Sequence, residues 1–249
     1  MVDSADIIKL TERDATILQT HFGRFRISTI EALRRVYWAD HTADAAKKWT
    51  QRMRAGEYLR AGELGDGREF FYPAHKTVTL AGFPRRYTRP PKGFDLATFY
   101  GVLSFCCMGE SQYEKMSTDE FHRRFEELCI KPIEQTRYYL DANFTDETHQ
   151  RKNRIGYVLV DAGARVLQVV TRFRRVIGQR IRVPLWHQWI ERDRFLIAVV
   201  TCDPHKQRRL QAELSGLRQP VPYRIEVRLD LRDVIPVSIG HAAERQDNP

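Results

Sequence analysis

Thr42-Ala43-Asp44-Ala45-Ala46-Lys47-Lys48-Trp49-Thr50-Gln51-Arg52-Met53-Arg54-Ala55-Gly56 is the stretch on which the reading of the fold turns. Ala46, Trp49 and Met53 recur at i, i+3 and i+7, which predicts a helix opening near Thr42 with one apolar face. Gly56 stands where a C-terminal glycine cap belongs. Downstream, Glu57 to Leu64 and Arg68 to Pro73 are two short runs of strand-favouring residues around Gly65-Asp66-Gly67, a turn able to supply the positive φ of a hairpin. Upstream, Thr11-Glu12-Arg13-Asp14 is close to a capping box, and Ala15, Leu18 and Phe22 follow at helical spacing until Gly23. A further helix is expected from Ser28 or Thr29 through Ile30, Leu33 and Tyr37 to Trp38.

Three short helices followed by a hairpin is the order of a winged helix-turn-helix. With Ala46, Trp49 and Met53 turned inward, Lys47, Lys48, Gln51, Arg52 and Arg54 project to the other sides of the third helix, and Thr42 opens it. Long basic and amide side chains on a helix that enters a major groove are the residue types for phosphate anchoring and base-edge contact. Arg60 and Arg68, on either side of the hairpin, are expected to reach the neighbouring backbone. The plainer alternative is a solvated amphipathic helix, or a winged helix that binds protein.

Charge agrees with a polyanionic partner. The 249 residues carry 41 Lys+Arg and 32 Asp+Glu, a net +9. The excess is uneven: +5 over residues 1–90, −5 over 91–150 and +8 over 151–190. Basic groups gathered on one face release counterions from a phosphate backbone. A hydrophobic content of 42% supports a core and excludes wholesale disorder. No apolar run approaches a membrane span, and the first ten residues read as no signal peptide. Cys106, Cys107, Cys129 and Cys202 lack C-x-x-C spacing and read as thiols of a reducing cytoplasm. There is no P-loop, no G-x-G-x-x-G and no G-x-S-x-G. Prolines 84, 90 and 91 predict a linker over 84–93 between an N-terminal module (1–83) and a larger one (94–240), with a polar tail at 241–249.

In the larger module the expected elements are helices at Phe94–Met108 and Thr118–Leu128, and strands at Tyr138–Phe144, Gly156–Asp161 and Arg165–Phe173. The last two strands are expected to join through Ala162-Gly163-Ala164 as a hairpin. There follow a helix at Val183–Glu191, a strand at Phe195–Thr201, a helix opened by Asp203-Pro204, and a strand at Tyr223–Leu229. Helix, three strands, helix, strand, helix, strand is the order of a restriction-endonuclease-like core, giving an α+β chain overall. Such a core holds Mg²⁺ with carboxylates on its second and third strands and a lysine on the third. Asp141 and Asp161 are conceivable first carboxylates, but Arg165–Phe173 holds no acidic residue and no lysine. What remains there is basic: Arg165, Arg172, Arg174, Arg175, Arg180 and Arg182, preceded by Arg151, Lys152 and Arg154. These either contact duplex or pair with the acidic 91–150 block beneath a dimerising sheet.

Leu10-Thr11-Glu12-Arg13-Asp14 through Ile17-Leu18, the Ser28-Thr29 helix start, and Lys47-Lys48-Trp49 to Gly56-Glu57-Tyr58-Leu59 resemble the replication-relaxation family, winged-helix proteins of plasmids and integrating elements. The likeness covers about the first 80 residues. Beyond that it extends only by order of elements, with Gln168-Val169-Val170 where the family places acidic residues. It implies a cytoplasmic, non-enzymatic protein that binds double-stranded DNA and regulates transcription, replication or mobilisation of a mobile element. The expected DNA-binding set is Thr42, Lys47, Lys48, Gln51, Arg52, Arg54, Arg60, Arg68, Arg172, Arg174 and Arg175, in a homodimer without cofactor or metal. The alternatives are a metal-dependent nuclease using Asp141 or Asp161 with a carboxylate such as Glu147, or a protein-interaction adaptor.

Overall fold

Thr11 opens the first helix with a reciprocal pair of bonds: its hydroxyl accepts the Asp14 N–H at 3.2 Å, and the Asp14 carboxylate accepts the Thr11 N–H at 2.9 Å. The computed structural model describes residues 9–130, 137–145, 153–217 and 221–235. The chain divides into two compact units, Met1–Lys92 and Gly93–Pro249, both mixing helix and sheet. No helix among the described residues is long and apolar enough to cross a membrane.

In the first unit, α1 (Glu12–Thr16) continues through a π-helical turn, Ile17–His21, into α2 (Phe22–Phe25). Gly23 does not stop this helix; the chain turns at Arg26, which takes a left-handed φ of 65°. Next come α3 (Ile30–Tyr37), capped by the Thr29 hydroxyl, and α4 (Ala43–Ala55), ended at Gly56. Strands β1 (Leu59–Glu63) and β2 (Glu69–Pro73) form an antiparallel hairpin with Ala61 opposite Phe71, and Gly67 in its turn has φ +83°. Ser28 pairs with Phe71 through two backbone bonds of 2.8 and 2.9 Å, stitching the segment before α3 to the hairpin. Helix α5 (His75–Ala81) and a 3₁₀ turn, Arg85–Thr88, follow. The core is one cluster including Leu18, Phe22, Leu33, Trp49, Met53 and Phe71.

His21 lies inside that core, 1% exposed, with Nε2 2.8 Å from the Ser28 hydroxyl. Burial, assisted by the nearby Arg24 charge, lowers its pKa to about 3. The folded form therefore holds a neutral imidazole that the unfolded chain protonates below about pH 6.5. Stability from this group is fully present above that pH and is lost as the pH falls towards 3, at about 1.4 kcal/mol per pH unit. In urea melts of the full chain from pH 7 to 4.5, His21→Gln is expected to remove this part of the slope; an unchanged slope would contradict the buried neutral ring.

The second unit opens with α6 (Gly93–Leu103), extended by a π-helical turn, Ser104–Met108. It continues with β3 (Glu114–Lys115), α7 (Thr118–Arg124), β4 (Tyr138–Asp141), β5 (Arg154–Val160), α8 (Val166–Ile181), α9 (Pro184–Glu191), β6 (Phe195–Thr201), α10 (Pro204–Ser215) and β7 (Tyr223–Val227). The sheet order is β3-β4-β5-β6-β7; β4 runs antiparallel to both neighbours, whereas β5, β6 and β7 are parallel. Parallel neighbours require crossovers, and α8 with α9, then α10, supply them. Their apolar faces, including Val169, Phe173, Ile177, Trp186 and Leu210, pack with Tyr157, Leu159, Ile197 and Val199 of the sheet. At Gly156 the Tyr139 ring of β4 crosses so closely that a Cβ would lie 1.9 Å from it, so only glycine fits.

Two expectations are corrected here. Arg165–Phe173 is not a strand but the start of α8, and Ala162-Gly163-Ala164 is not a hairpin but the turn from β5 into that helix. The reason is periodicity. Val169, Val170, Phe173, Val176 and Ile177 are all buried at helical spacing, whereas strict alternation would have put Gln168 and Arg172 on the same face as Val170. Gly163, at φ +82°, makes the turn, and Asp161 accepts the Ala164 N–H at 3.0 Å. The sheet keeps three strands before α8 because β3, two residues long and without a sequence signal, supplies the first. The tail at 241–249, Glu147, Arg151 and Lys152 lie outside the described residues.

Candidate nucleic-acid interface

Helix α4 buries Ala46, Trp49, Thr50 and Met53 and exposes Lys47, Lys48, Gln51, Arg52 and Arg54. The exposed residues do not all serve alike. Arg52 Nη2 lies 2.5 Å from Asp14 Oδ1, and the Trp49 indole N–H donates to the same oxygen at 2.8 Å. The Asp14 side chain is only 3% exposed, so Arg52 neutralises a buried carboxylate and ties α4 to the first helix. Burial pushes the Asp14 carboxyl up, but hydrogen bonds from Thr11 and Trp49 and the Arg52 charge outweigh it and hold the group below the usual carboxylate range. Arg54 pairs with Glu69 of β2 at 3.1 Å, and Arg68 with Asp66 inside the hairpin turn.

Lys47, Lys48 and Gln51 make no side-chain bond or ion pair among the described residues, nor does Arg60, which is exposed on β1. Thr42 precedes α4 in extended backbone and is exposed; its hydroxyl makes no capping bond. Of the expected interface cations in this unit, Lys47 and Lys48 of the helix and Arg60 of the hairpin keep free hydrogen-bonding capacity among the described residues. Gln51 lies four residues after Lys47 and three after Lys48, so it adjoins both on the helix surface and the three present one polar strip.

In the second unit the basic residues scatter over the surfaces of α8. Arg174 and Arg175 are exposed, and Arg182 just follows the helix. Arg180 is 3% exposed and faces inward: its guanidinium lies 4.8 Å from the Tyr157 ring centroid and 5.2 Å from that of Tyr138, donates to the Tyr138 hydroxyl, and donates to the Val176 carbonyl at 2.6 Å. It is a core cation held by aromatic faces, out of reach of a phosphate. Arg154 lies over Phe144 and within 3.7 Å of Asp141 and 3.4 Å of Asp193. Arg172 is half-buried.

Asp141 and Asp161 do not share a site. Asp141 is paired across the sheet with Arg154, the first residue of β5, while Asp161 follows Val160, its last. Seven strand residues separate these ends, roughly 20 Å. Asp161 is buried and fully engaged: Lys206 Nζ stands 2.6 Å away, and the Thr201 hydroxyl donates to it at 3.0 Å. Among the described residues no group of three or more His, Cys, Asp or Glu is placed to hold a metal ion.

No family model matches the chain, and no curated protein matches it.

Proposed function

We propose that the chain is a double-stranded DNA-binding protein whose N-terminal unit is a winged helix-turn-helix. The observation that carries this reading is the strip Lys47, Lys48 and Gln51 on α4, exposed and without a side-chain partner among the described residues, in a unit whose hairpin adds the exposed Arg60. Three helices, a bridge at Ser28 and a two-stranded hairpin support the winged-helix assignment. In this reading α4 enters the major groove, Lys47 and Lys48 bind phosphates, Gln51 reads a base edge (adenine by its two-bond pattern), and Arg60 holds the backbone beside the groove. Arg52 positions the helix through Asp14. The likeness of the opening helices to replication-relaxation proteins suggests regulation of transcription, replication or mobilisation of a mobile element.

The order of elements from α6 to β7 supports a restriction-endonuclease-like core for the second unit. The separation of Asp141 from Asp161, and the neutralisation of Asp161 by Lys206, favour a non-catalytic role there, dimerisation or added backbone contacts. The test is a titration of a fluorescently labelled duplex followed by anisotropy. Saturable binding at about 1 μM or tighter, weakening as salt rises, is the expected result. Plasmid incubated with the protein and Mg²⁺ or Mn²⁺ should stay intact. Nicking that Asp161→Asn abolishes would overturn the non-catalytic reading, and absence of duplex affinity would overturn DNA binding.

A further inference from the structure

The first turns of α8 and the N-terminus of α6 leave a pocket of about 590 Å³ in the second unit, at the end of β5. Phe94, Ala162, Ala164 and Leu167 give it a largely apolar surface, and Gln168 and Thr171 line it beside them. Phe94 is 43% exposed and Leu167 68%, two large hydrophobic side chains left to water at one place. Scattered exposed hydrophobic side chains are ordinary, but two that converge on a concavity of small-molecule size are not. The loop beneath is firmly held, since Asp161 takes the Ala164 N–H and Lys206 donates to the Ala164 carbonyl.

One charged side chain lines this pocket, Arg172. Its hydrogen bonds are long, 3.4 Å from Nε to the Gln168 carbonyl and 3.5 Å from Nη1 to the Val160 carbonyl, and its guanidinium lies 5.6 Å from the Phe94 ring centroid. No carboxylate among the described residues stands within ion-pair distance of it. Burial, with the Arg137 charge, pulls the Arg172 pKa down against the pull of Asp161, and Asp161 is already paired with Lys206 at 2.6 Å. A half-buried cation with long hydrogen bonds, beside another cation and facing an apolar cavity, is placed to receive an anion.

We propose that this pocket binds a small organic monoanion, a carboxylate or sulfonate carrying an aromatic or medium-chain apolar body. The head group would take a forked pair of hydrogen bonds from Arg172, and the body would cover Phe94 and Leu167. A nucleic-acid backbone fits less well, because its sugars and phosphates would leave both hydrophobic side chains wet. The site is independent of the α4 strip, and its test does not involve DNA.

The test is a titration of the full chain with the fluorescent probe 1-anilinonaphthalene-8-sulfonate. One saturable site with enhanced, blue-shifted emission is expected, displaced by decanoate. Arg172→Gln should weaken binding by roughly tenfold or more by removing the charged fork. Leu167→Asp, at a position open to solvent and safe for folding, should do the same through repulsion and loss of the apolar wall. Leu80→Asp, a change at an exposed leucine of the first unit, should leave the titration unchanged. Equal affinity in the wild type, Arg172→Gln and Leu167→Asp would overturn the proposal. So would sedimentation showing that Leu167→Asp converts a dimer to a monomer, since a second copy would then cover the patch.

Discussion

Reversing two charges together, Lys47→Glu with Lys48→Glu, is expected to weaken duplex binding by roughly a hundredfold at about 0.1 M salt, with the helix content unchanged. Both side chains are exposed and make no bond or ion pair among the described residues on which folding would depend. On the proposed reading, their replacement loses two counterion-releasing contacts and sets new carboxylates against the phosphates. Arg54→Ala is a weaker probe because Arg54 is occupied by Glu69, and Arg52→Ala is an ambiguous one because it unbalances Asp14. An unchanged affinity in the double variant would remove α4 from the interface.

Asp14→Ala is expected to be among the most damaging single changes in the first unit, costing about 4 kcal/mol of stability. The carboxylate is reached by the Thr11 N–H, the Trp49 indole and Arg52, so its loss leaves a buried indole donor unsatisfied, dissolves the capping box and frees the Arg52 charge at the α4 surface. Asp14→Asn keeps an acceptor oxygen in place and should cost markedly less. Urea unfolding of the full chain, followed by tryptophan emission, measures both. A loss below about 1 kcal/mol for Asp14→Ala would show that the contact contributes little. Duplex affinity should fall with Asp14→Ala only as far as α4 loses its position, which separates this role from that of Lys47 and Lys48.

The third helix was legible because Ala46, Trp49 and Met53 carry its periodicity within one short window, and Gly56 and Gly67 mark its end and the turn. The role of Arg52 was not, since its partner lies 38 residues earlier and no local pattern joins them. Val166, Val169, Val170 and Phe173 favour a strand when read alone; the helical repeat becomes plain only when Val176 and Ile177 are included. Arg180 reads as one more surface arginine because the rings that enclose it, Tyr138, Tyr157, Trp186 and Phe195, come from four separate elements. The parallel strand Phe195–Thr201 announced itself as an uninterrupted apolar run, and all seven of its residues are buried.

The most direct measurement is the salt dependence of duplex affinity for the wild type and for the Lys47→Ala, Lys48→Ala pair. If these two side chains each neutralise a phosphate, the slope of log affinity against log salt becomes shallower by about 1.8 in the variant. Parallel lines of equal slope would mean that neither lysine touches the backbone, and that α4 is not the element that meets DNA.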